Sequence, residues 1–144
     1  MNQTSLSVRR IIRAPQTRVF DAWTSPDQLM QWWGPRDVQC TAAQVDLRVG
    51  GEYRIANLHS DGRVTWISGV FEIVLPPTEL VYSWNIEEAG LPTSRVSVEF
   101  RPHADGTELI LRHDRLVATV RDMHSQGWNE CLDGLEAMLH EVPT

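Results

Sequence analysis

Three side chains in this sequence are the first candidates for chemistry: His113, His124 and Cys131. A histidine near its usual pKa can act as a base, as a metal ligand or as a polar contact for a bound molecule. Cys131 follows His124 by seven residues, which corresponds to about 10.5 Å along a helix. That separation is too large for the ~3 Å hydrogen bond between a nucleophile and its base. Cys131 is therefore interpreted as a small core residue.

His124 lies in the middle of an apolar helical face, and two interpretations of it stay open. Either it contacts a ligand or titrates as a base, or it is a buried ring bonded to a backbone carbonyl or a tryptophan neighbour. A buried nitrogen without a partner costs about 1–3 kcal/mol. His113 has the inward parity of its strand, but neither HExxH nor CxxC occurs in the sequence. The sequence therefore predicts no metal and no cofactor, and it assigns no catalytic residue.

The segment around 120–140 has the strongest helical pattern in the chain. Apolar residues recur three and four positions apart along one face, as expected for a helix that packs on a sheet. These residues are His124, Trp128, Cys131, Leu132, Leu135, Met138 and Leu139. Thr119 and Asp122 have the spacing of a capping box at its start. Gly127 and Gly134 lie at one edge of this face, which predicts close approach of the sheet or, alternatively, space left for another group.

The first third of the chain combines one strand pattern with two short helices. Residues 5–13 alternate apolar and polar side chains, which predicts a half-buried strand. Pro15 suits the first residue of a helix. Ser25 and Gln28 have the spacing of a second capping box, and the helix that follows is predicted to stop at Gly34.

Two adjacent tryptophans, Trp32 and Trp33, end this second helix. Adjacent helical residues point about 100° apart, so one ring can enter the core while the other faces a cavity or solvent. Two interpretations stay open. Either both rings pack in the core, or one of them lines the entrance of a ligand site.

From residue 38 onward, apolar and polar residues alternate between turn signals such as Gly50-Gly51, as in a meander of strands. The predicted strands are 38–46, 51–58, 63–74, 79–86, 94–102 and 107–114. The resulting order is one strand, two helices, six strands and a long helix. It predicts an α+β fold in which a curved antiparallel sheet wraps around the C-terminal helix. The length of 144 residues suits a single domain over residues 1–144.

Six short motifs follow one another in the order of a known family. They are Ala22–Pro26, Trp32–Pro35, Asp46–Tyr53, Gly69–Ile73 with Pro76-Pro77, Gly106-Thr107 leading to His113, and Gly127-Trp128. The sequence thereby resembles bacterial relatives of the C-terminal domain of the activator of heat-shock-protein-90 ATPase, within the START/SRPBCC helix-grip superfamily. The resemblance implies a helix-grip fold with an apolar cavity between sheet and helix. It also implies a co-chaperone role as an alternative.

Charge and composition exclude several classes of protein. The chain has 13 Arg and no Lys against 19 Asp and Glu, for a net charge of −6. Schiff-base chemistry on a lysine side chain is thereby excluded, and an acidic chain without a basic cluster is a poor nucleic-acid binder. No run reaches the ~18 apolar residues of a membrane helix. Cys40 and Cys131 do not make a disulfide framework, which favours a bacterial-type cytoplasmic protein.

The function predicted from these observations is the binding of a small hydrophobic or aromatic molecule, as a carrier or sensor. Aromatic walls with a few polar groups are typical of such cavities. The candidate lining residues are Trp32, Trp33, Tyr53, Trp66, Phe71, Trp84, Phe100, His113, His124 and Trp128. Two alternatives stay open. One is a protein-interaction module whose partner is a chaperone or another protein, and the other is a cyclase-like or hydrolytic enzyme with converging polar groups.

Overall fold

An antiparallel sheet and a long helix packed across it make up most of the structure. Within residues 3–140, which the computed structural model describes, the chain forms seven strands and three α-helices. In chain order these are β1 Gln3–Ile12, α1 Gln16–Thr24, α2 Pro26–Trp32, β2 Val38–Val45, β3 Glu52–His59, β4 Val64–Leu75, β5 Glu79–Ile86, β6 Ser94–His103, β7 Gly106–Val117 and α3 Arg121–Leu139. The strand order in the sheet is β1-β7-β6-β5-β4-β3-β2. The predicted α+β helix-grip architecture is confirmed. No helix in this part of the chain has the length and apolarity to cross a bilayer.

Alternation of side chains gives the sheet one buried face. In β6, Val96, Val98 and Phe100 are buried, and the residues between them are only half-buried. The inward side chains meet the apolar face of α3, which buries Trp128 and Leu132 among others. Removal of this apolar area from water, at about 25 cal/mol per Å², stabilises the pairing of sheet and helix. Register shifts place bulges in β2, β4 and β7, which bend the sheet around the helix.

Arg10 interrupts the apolar pattern of β1, and the structure shows why: it binds the side of α3. Its Nη1 donates to Asp133 Oδ1 at 2.9 Å and to Glu136 Oε2 at 3.0 Å. Its Nη2 donates to the Asn129 carbonyl at 3.1 Å. The Arg10 side chain is only 19% exposed, so solvent screens these interactions less than those of a surface ion pair. The first strand and the last helix are thereby tied together.

Replacement of Arg10 by methionine is expected to lower the free energy of unfolding by about 1–3 kcal/mol, because two carboxylates lose their shared cation while the apolar stem remains. Urea unfolding at neutral pH measures this loss. Arg48→Met is the matched control. Arg48 also pairs with a carboxylate, that of Asp46, but its side chain is 76% exposed, and a loss below about 1 kcal/mol is expected. Equal losses in the two variants would contradict the role given to Arg10.

The predicted helix starts are wrong in detail. Pro15 is the N-cap of α1 rather than its first residue. Ser25 is the N-cap of α2 but makes no side-chain cap hydrogen bond, so the capping box with Gln28 does not form. A short 3-10 turn precedes α3, and its N-cap is Val120 instead of Thr119. Thr119 lies inside that turn, and the Gln28 side chain accepts a hydrogen bond from Arg18 instead.

Gly134 marks a close approach of two helices rather than of helix and sheet. A Cβ at this position would lie 2.8 Å from the carbonyl oxygen of Trp32. The close approach predicted from the glycine therefore exists, but its partner is the end of α2, because Trp32 brings its backbone directly over α3.

Candidate functional site

A pocket of about 250 Å³ lies between α3 and the inner faces of β3, β4 and β5. Most of its wall is apolar. The lining residues are Trp33, Pro35, Asn57, His59, Thr65, Ile67, Trp84, Ile86, Met123, His124, Gly127, Trp128 and Cys131. Met123 is 61% exposed, so the pocket meets solvent near the start of α3. Its place between sheet and helix is the one that the family resemblance implies for a cavity.

Three tryptophans form the rigid part of the pocket wall. The ring centroids of Trp84 and Trp128 are 5.1 Å apart, those of Trp33 and Trp128 5.3 Å, and those of Trp33 and Trp84 6.0 Å. Trp33 Nε1 donates to Asn57 Oδ1 at 3.1 Å, and Trp128 Nε1 donates to His113 Nδ1 at 3.0 Å. Packing and hydrogen bonds together fix these rings, which leaves flat apolar surfaces facing the pocket.

Gly127 keeps the helical side of the pocket open. No atom outside its own stretch of chain lies within 4 Å of the place where a Cβ would be. Two interpretations of the helical glycines were open. Gly127 leaves space for another group, and Gly134 allows a close approach.

His124 presents one bonded and one unbonded ring nitrogen. Its Nδ1 lies 2.9 Å from the Val120 carbonyl oxygen. A carbonyl oxygen only accepts, so Nδ1 carries the proton and Nε2 of the neutral ring is an acceptor. Within residues 3–140, the bond of Nδ1 is the only hydrogen bond that the His124 ring forms. Burial lowers the pKa of His124, against the opposing effect of the Val120 hydrogen bond, so the ring is neutral at pH 7.

His113 is fully buried directly behind Trp128. Its Nε2 lies 2.7 Å from Ser94 Oγ, and its Nδ1 accepts from Trp128 Nε1 at 3.0 Å. Because Nδ1 accepts, the proton of the neutral ring is on Nε2 and is donated to Ser94. A histidine that activates a serine needs the opposite tautomer. The pair therefore positions Trp128 and does not form a nucleophile with its base.

Burial, and to a lesser degree the nearby His124, lowers the pKa of His113 to about 3. The two imidazole centroids are 5.2 Å apart, so two positive charges here would repel each other in an apolar environment. Burial also raises the pKa of Cys131 to about 12, so its thiol stays protonated. Among the side chains of residues 3–140, no three His, Cys, Asp or Glu are placed to hold a metal ion.

Trp84 differs from the other two tryptophans of the pocket. It is 7% exposed, and its Nε1 is buried without a hydrogen-bond acceptor anywhere in the described part of the chain. Buried polar groups almost always have a partner. Of the three indole nitrogens of the pocket tryptophans, that of Trp84 is therefore the one without a partner in the described part of the chain.

The ten residues predicted to line a cavity fall into separate places. Trp33, Trp84, His124 and Trp128 lie together in the pocket. The other six lie elsewhere: His113 behind Trp128, and Trp32, Tyr53, Trp66, Phe71 and Phe100 at the positions described next.

Trp32 and Phe100 pack in the core. Trp32 Nε1 donates to the Ala22 carbonyl at 2.8 Å, and Phe100 contacts Phe20 with ring centroids 5.4 Å apart. Of the two adjacent tryptophans, Trp32 thus packs between helices and Trp33 lines the pocket.

Tyr53 and Phe71 belong to a second aromatic cluster with Tyr82, in which ring centroids are 5.1–5.9 Å apart. The cluster borders a separate cavity of about 20 Å³, which Trp33 and Trp84 also border. A cavity of that size holds about one water molecule. These rings therefore support the pocket wall from behind.

Trp66 lies on the outer face of the sheet. Its neighbours in β4, Thr65 and Ile67, line the pocket, and alternation along a strand points Trp66 the other way. The Arg54 guanidinium carbon is 3.8 Å from its ring centroid, a cation–π contact. The prediction that Trp66 lines the cavity fails for this pocket, because sequence parity alone does not tell which face is concave.

Several residues that line the pocket were not predicted from the sequence. Asn57 is a buried polar residue with the inward parity of Tyr53 and Ile55 in β3, and that parity was the signal that could have identified it. His59 Nε2 pairs with Thr65 Oγ1 at 2.7 Å across β3 and β4. No local pattern brings those two together, because the pairing depends on strand register.

The comparisons with known proteins agree with this architecture. A profile of the family described as Activator of Hsp90 ATPase homolog 1-like protein matches residues 13–140. Among curated proteins, none matches the sequence significantly.

Solved structures of bacterial proteins share the fold over nearly the whole chain. An AHSA1 protein from Silicibacter pomeroyi is 25% identical with a TM-score of 0.85, and the match covers 94% of this chain and 97% of that one. An AHSA1-like protein from Aeromonas hydrophila is 26% identical with a TM-score of 0.79, over 98% and 99% of the two chains. A protein from Chromobacterium violaceum, 24% identical, has a TM-score of 0.89 over 96% and 98% and shows the shared fold alone.

Proposed function

The chain belongs to the activator of Hsp90 ATPase homolog 1-like family, and we propose that it binds one small, mainly apolar, ring-containing molecule between its sheet and α3. The observation that carries the proposal is the pocket of about 250 Å³ walled by three tryptophans. At Gly127, α3 presents no side chain to the pocket. A helical glycine costs about 1 kcal/mol relative to alanine, and here it opens space that a ligand can fill.

The size and rigidity of the pocket limit the ligand. Pockets for drug-sized molecules measure roughly 300–1,000 Å³, and this one, at about 250 Å³, falls below that range. A molecule of one or two fused rings is the expected occupant. The rings of Trp33, Trp84 and Trp128 offer flat faces that favour stacked or edge-to-face contact with such a ligand.

A carrier or sensor is favoured over a hydrolytic enzyme. The pair most similar to a catalytic one, Ser94 and His113, has its imidazole proton on the nitrogen that faces the hydroxyl group. A cytoplasmic location and action as one domain over residues 1–144 are part of the same proposal. Cys40 and Cys131 are free, buried thiols, as expected for a reducing compartment.

Naphthalene is a suitable first probe, and it is compared between the wild type and a variant whose pocket is filled by a larger side chain. At 100 times its dissociation constant, a ligand stabilises the fold by about 2.7 kcal/mol, which thermal unfolding detects. Gly127→Leu is expected to weaken naphthalene binding at least about tenfold, because its side chain occupies the pocket. Gln126→Leu, which adds the same side chain at the exposed neighbouring position, is the control and is expected to bind normally. Undiminished binding to Gly127→Leu, or no binding to the wild type, would overturn the proposal.

A protein-interaction role with a chaperone is the second candidate, and one feature favours it. The loop between β2 and β3 exposes two apolar side chains, Leu47 at 38% and Val49 at 67%. Apolar groups displayed on a loop are suited to contact a partner protein. Stimulation of an Hsp90-type ATPase that is lost in a Leu47→Ser, Val49→Ser double variant would support this role, and absence of stimulation would remove it.

A further inference from the structure

We propose, building on the proposed function, that the ligand is a neutral aromatic carbonyl compound whose oxygen accepts a hydrogen bond from the side-chain amide of Asn57. Such a contact uses a buried amide in the interior of β3, where asparagine is otherwise disfavoured. It names the chemical class of the ligand by the atom that recognises it, and it places the polar end of the ligand against the sheet.

The orientation of the Asn57 amide is fixed by Trp33. Trp33 Nε1 donates a hydrogen bond to Asn57 Oδ1 at 3.1 Å. An indole N–H only donates, so the amide atom that faces it must be the oxygen and not the nitrogen. Asn57 Nδ2, which carries two N–H donors, is therefore turned away from the indole nitrogen of Trp33.

The amide nitrogen of Asn57 is an unused donor with accessible surface. Within residues 3–140, the bond from Trp33 is the only hydrogen bond that the Asn57 side chain forms. Asn57 is only 6% exposed, yet its Nδ2 is not among the fully buried side-chain atoms that lack a partner, so part of its surface is accessible. Because Asn57 shares the inward parity of Ile55 and belongs to the pocket wall, that surface opens into the pocket.

The indole nitrogens of the pocket tryptophans are not available to a ligand. That of Trp33 donates to Asn57 itself. That of Trp128 donates to His113 behind the wall, and that of Trp84 is completely buried. The Asn57 amide is therefore the N–H group through which the rigid wall of the pocket can recognise an oxygen atom.

The neighbours of Asn57 place this donor on the sheet side of the pocket. Thr65 pairs with Asn57 across β3 and β4, and side chains directly opposite one another lie about 4.5–5.5 Å apart. The Thr65 hydroxyl group is already paired with His59 Nε2 at 2.7 Å. The helical wall is formed by residues such as Gly127 and Trp128. A ligand oxygen at Asn57 thus leaves its ring against the apolar side of the pocket.

A carbonyl group matches this wall better than a charged group does. A carbonyl oxygen accepts hydrogen bonds and donates none, so it requires no acceptor from the protein. No Asp, Glu or Arg is among the pocket-lining residues in the described part of the chain. A charged ligand would be buried there without a fixed opposite charge, at a high desolvation cost. A ketone, lactone or quinone on a small ring system meets both conditions.

A matched pair of probes tests this inference. Isothermal titration at pH 7.5 compares 1-tetralone with tetralin, a hydrocarbon of the same ring skeleton. The affinity for 1-tetralone relative to tetralin is compared between protein variants, because tetralin leaves water more readily whatever the protein offers. Asn57→Leu has a side chain of similar size without the amide. It is expected to lower the relative affinity for 1-tetralone at least about fivefold and to retain tetralin binding, which also shows that it folds.

Trp33→Phe is the matched control, because it removes the partner of Asn57 Oδ1 and leaves Nδ2 in place. It is expected to change the affinity for both probes alike and to keep their ratio. If Asn57→Leu fails to fold because Trp33 Nε1 has lost its acceptor, the double variant Asn57→Leu, Trp33→Phe carries the test. The double variant removes donor and acceptor together, and it is compared with Trp33→Phe.

The outcomes separate this inference from the proposed function. A relative affinity for 1-tetralone that stays the same when Asn57 is replaced, in either background, would overturn the inference. A wild type that binds tetralin but not 1-tetralone would also overturn it, and both results leave the proposed function intact. Failure of the wild type to bind either probe would remove the proposed function and this inference together.

Discussion

The free energy of unfolding is expected to fall by about 1.4 kcal/mol per pH unit below pH 6.5 because of His113 alone. Burial lowers the pKa of His113 from 6.5 to about 3 in the fold. Between pH 6.5 and 3, the His113 ring is therefore protonated in the unfolded chain and neutral in the folded chain. The stabilisation is complete above pH 6.5, declines between pH 6.5 and 3, and is lost once the folded protein is protonated as well. Most domains are stable by only about 5–15 kcal/mol, so marked acid lability follows.

Urea unfolding at pH 7.5, 6.5, 5.5 and 4.5 measures this slope. The groups that face His113 are Ser94 from β6, Trp84 from β5, and Trp128 and His124 from α3. His124, whose pKa is also lowered, adds a loss of the same sign. His113→Asn is expected to be less stable at pH 7.5 but to lose less stability per pH unit, because its amide does not titrate.

The surface histidine His103, which is exposed, provides the matched control. His103→Asn is expected to keep the steep pH dependence of the wild type. Carboxylates titrate alike in all three proteins, so the difference between slopes isolates the histidine. If His113→Asn and the wild type lose stability in parallel between pH 6.5 and 4.5, burial of a neutral His113 is contradicted.

Alanine at the two glycines of α3 is expected to change stability in opposite directions. Gly134→Ala places its methyl group 2.8 Å from the Trp32 carbonyl oxygen, and overpacking of this kind typically costs about 1–3 kcal/mol. Gly127→Ala meets nothing within 4 Å and is expected to gain up to about 1 kcal/mol from helix propensity. Both substitutions add the same methyl group to the same helix, so propensity cancels in the comparison.

Chemical denaturation of the two alanine variants at pH 7.5 measures the difference, which is expected to be about 1–3 kcal/mol, the overpacking cost alone. A gain at both positions would show that α2 shifts away from α3 without cost. A loss at both would show that the helix near Gly127 is constrained by something other than space, and that the pocket is less open than its geometry indicates.

The architecture could be predicted because its signals are local. Val96, Val98 and Phe100 alternate along β6 with exposed or half-buried residues, and Trp128, Leu132 and Leu135 share one face of α3. Such periodicity identifies strands and helices wherever one side is buried. The six ordered motifs then identified the family, which the profile over residues 13–140 confirms.

The site could be predicted only in part, because the residues that line the pocket are determined by where the strands lie in space. Trp66 and Trp84 are both tryptophans within strands, yet one lies outside under Arg54 and the other inside against Trp128. The role of His113 depends on Ser94 and Trp128, which are 19 and 15 positions away in the chain. The tautomer of a histidine is set by its hydrogen-bond partners, and sequence periodicity does not identify those partners.

The link between β1 and α3 has a consequence for synthesis on the ribosome. β1 is translated before β7, with which it pairs so that Ser7 lies opposite Arg112, and before α3, to which its Arg10 binds. Neither partner exists until most of the chain has been translated. Loop closure over so long a stretch makes folding slow compared with that of proteins built from local contacts. The nascent sheet must therefore keep its tryptophan-rich inner face exposed, and open to aggregation, until the final helix leaves the exit tunnel.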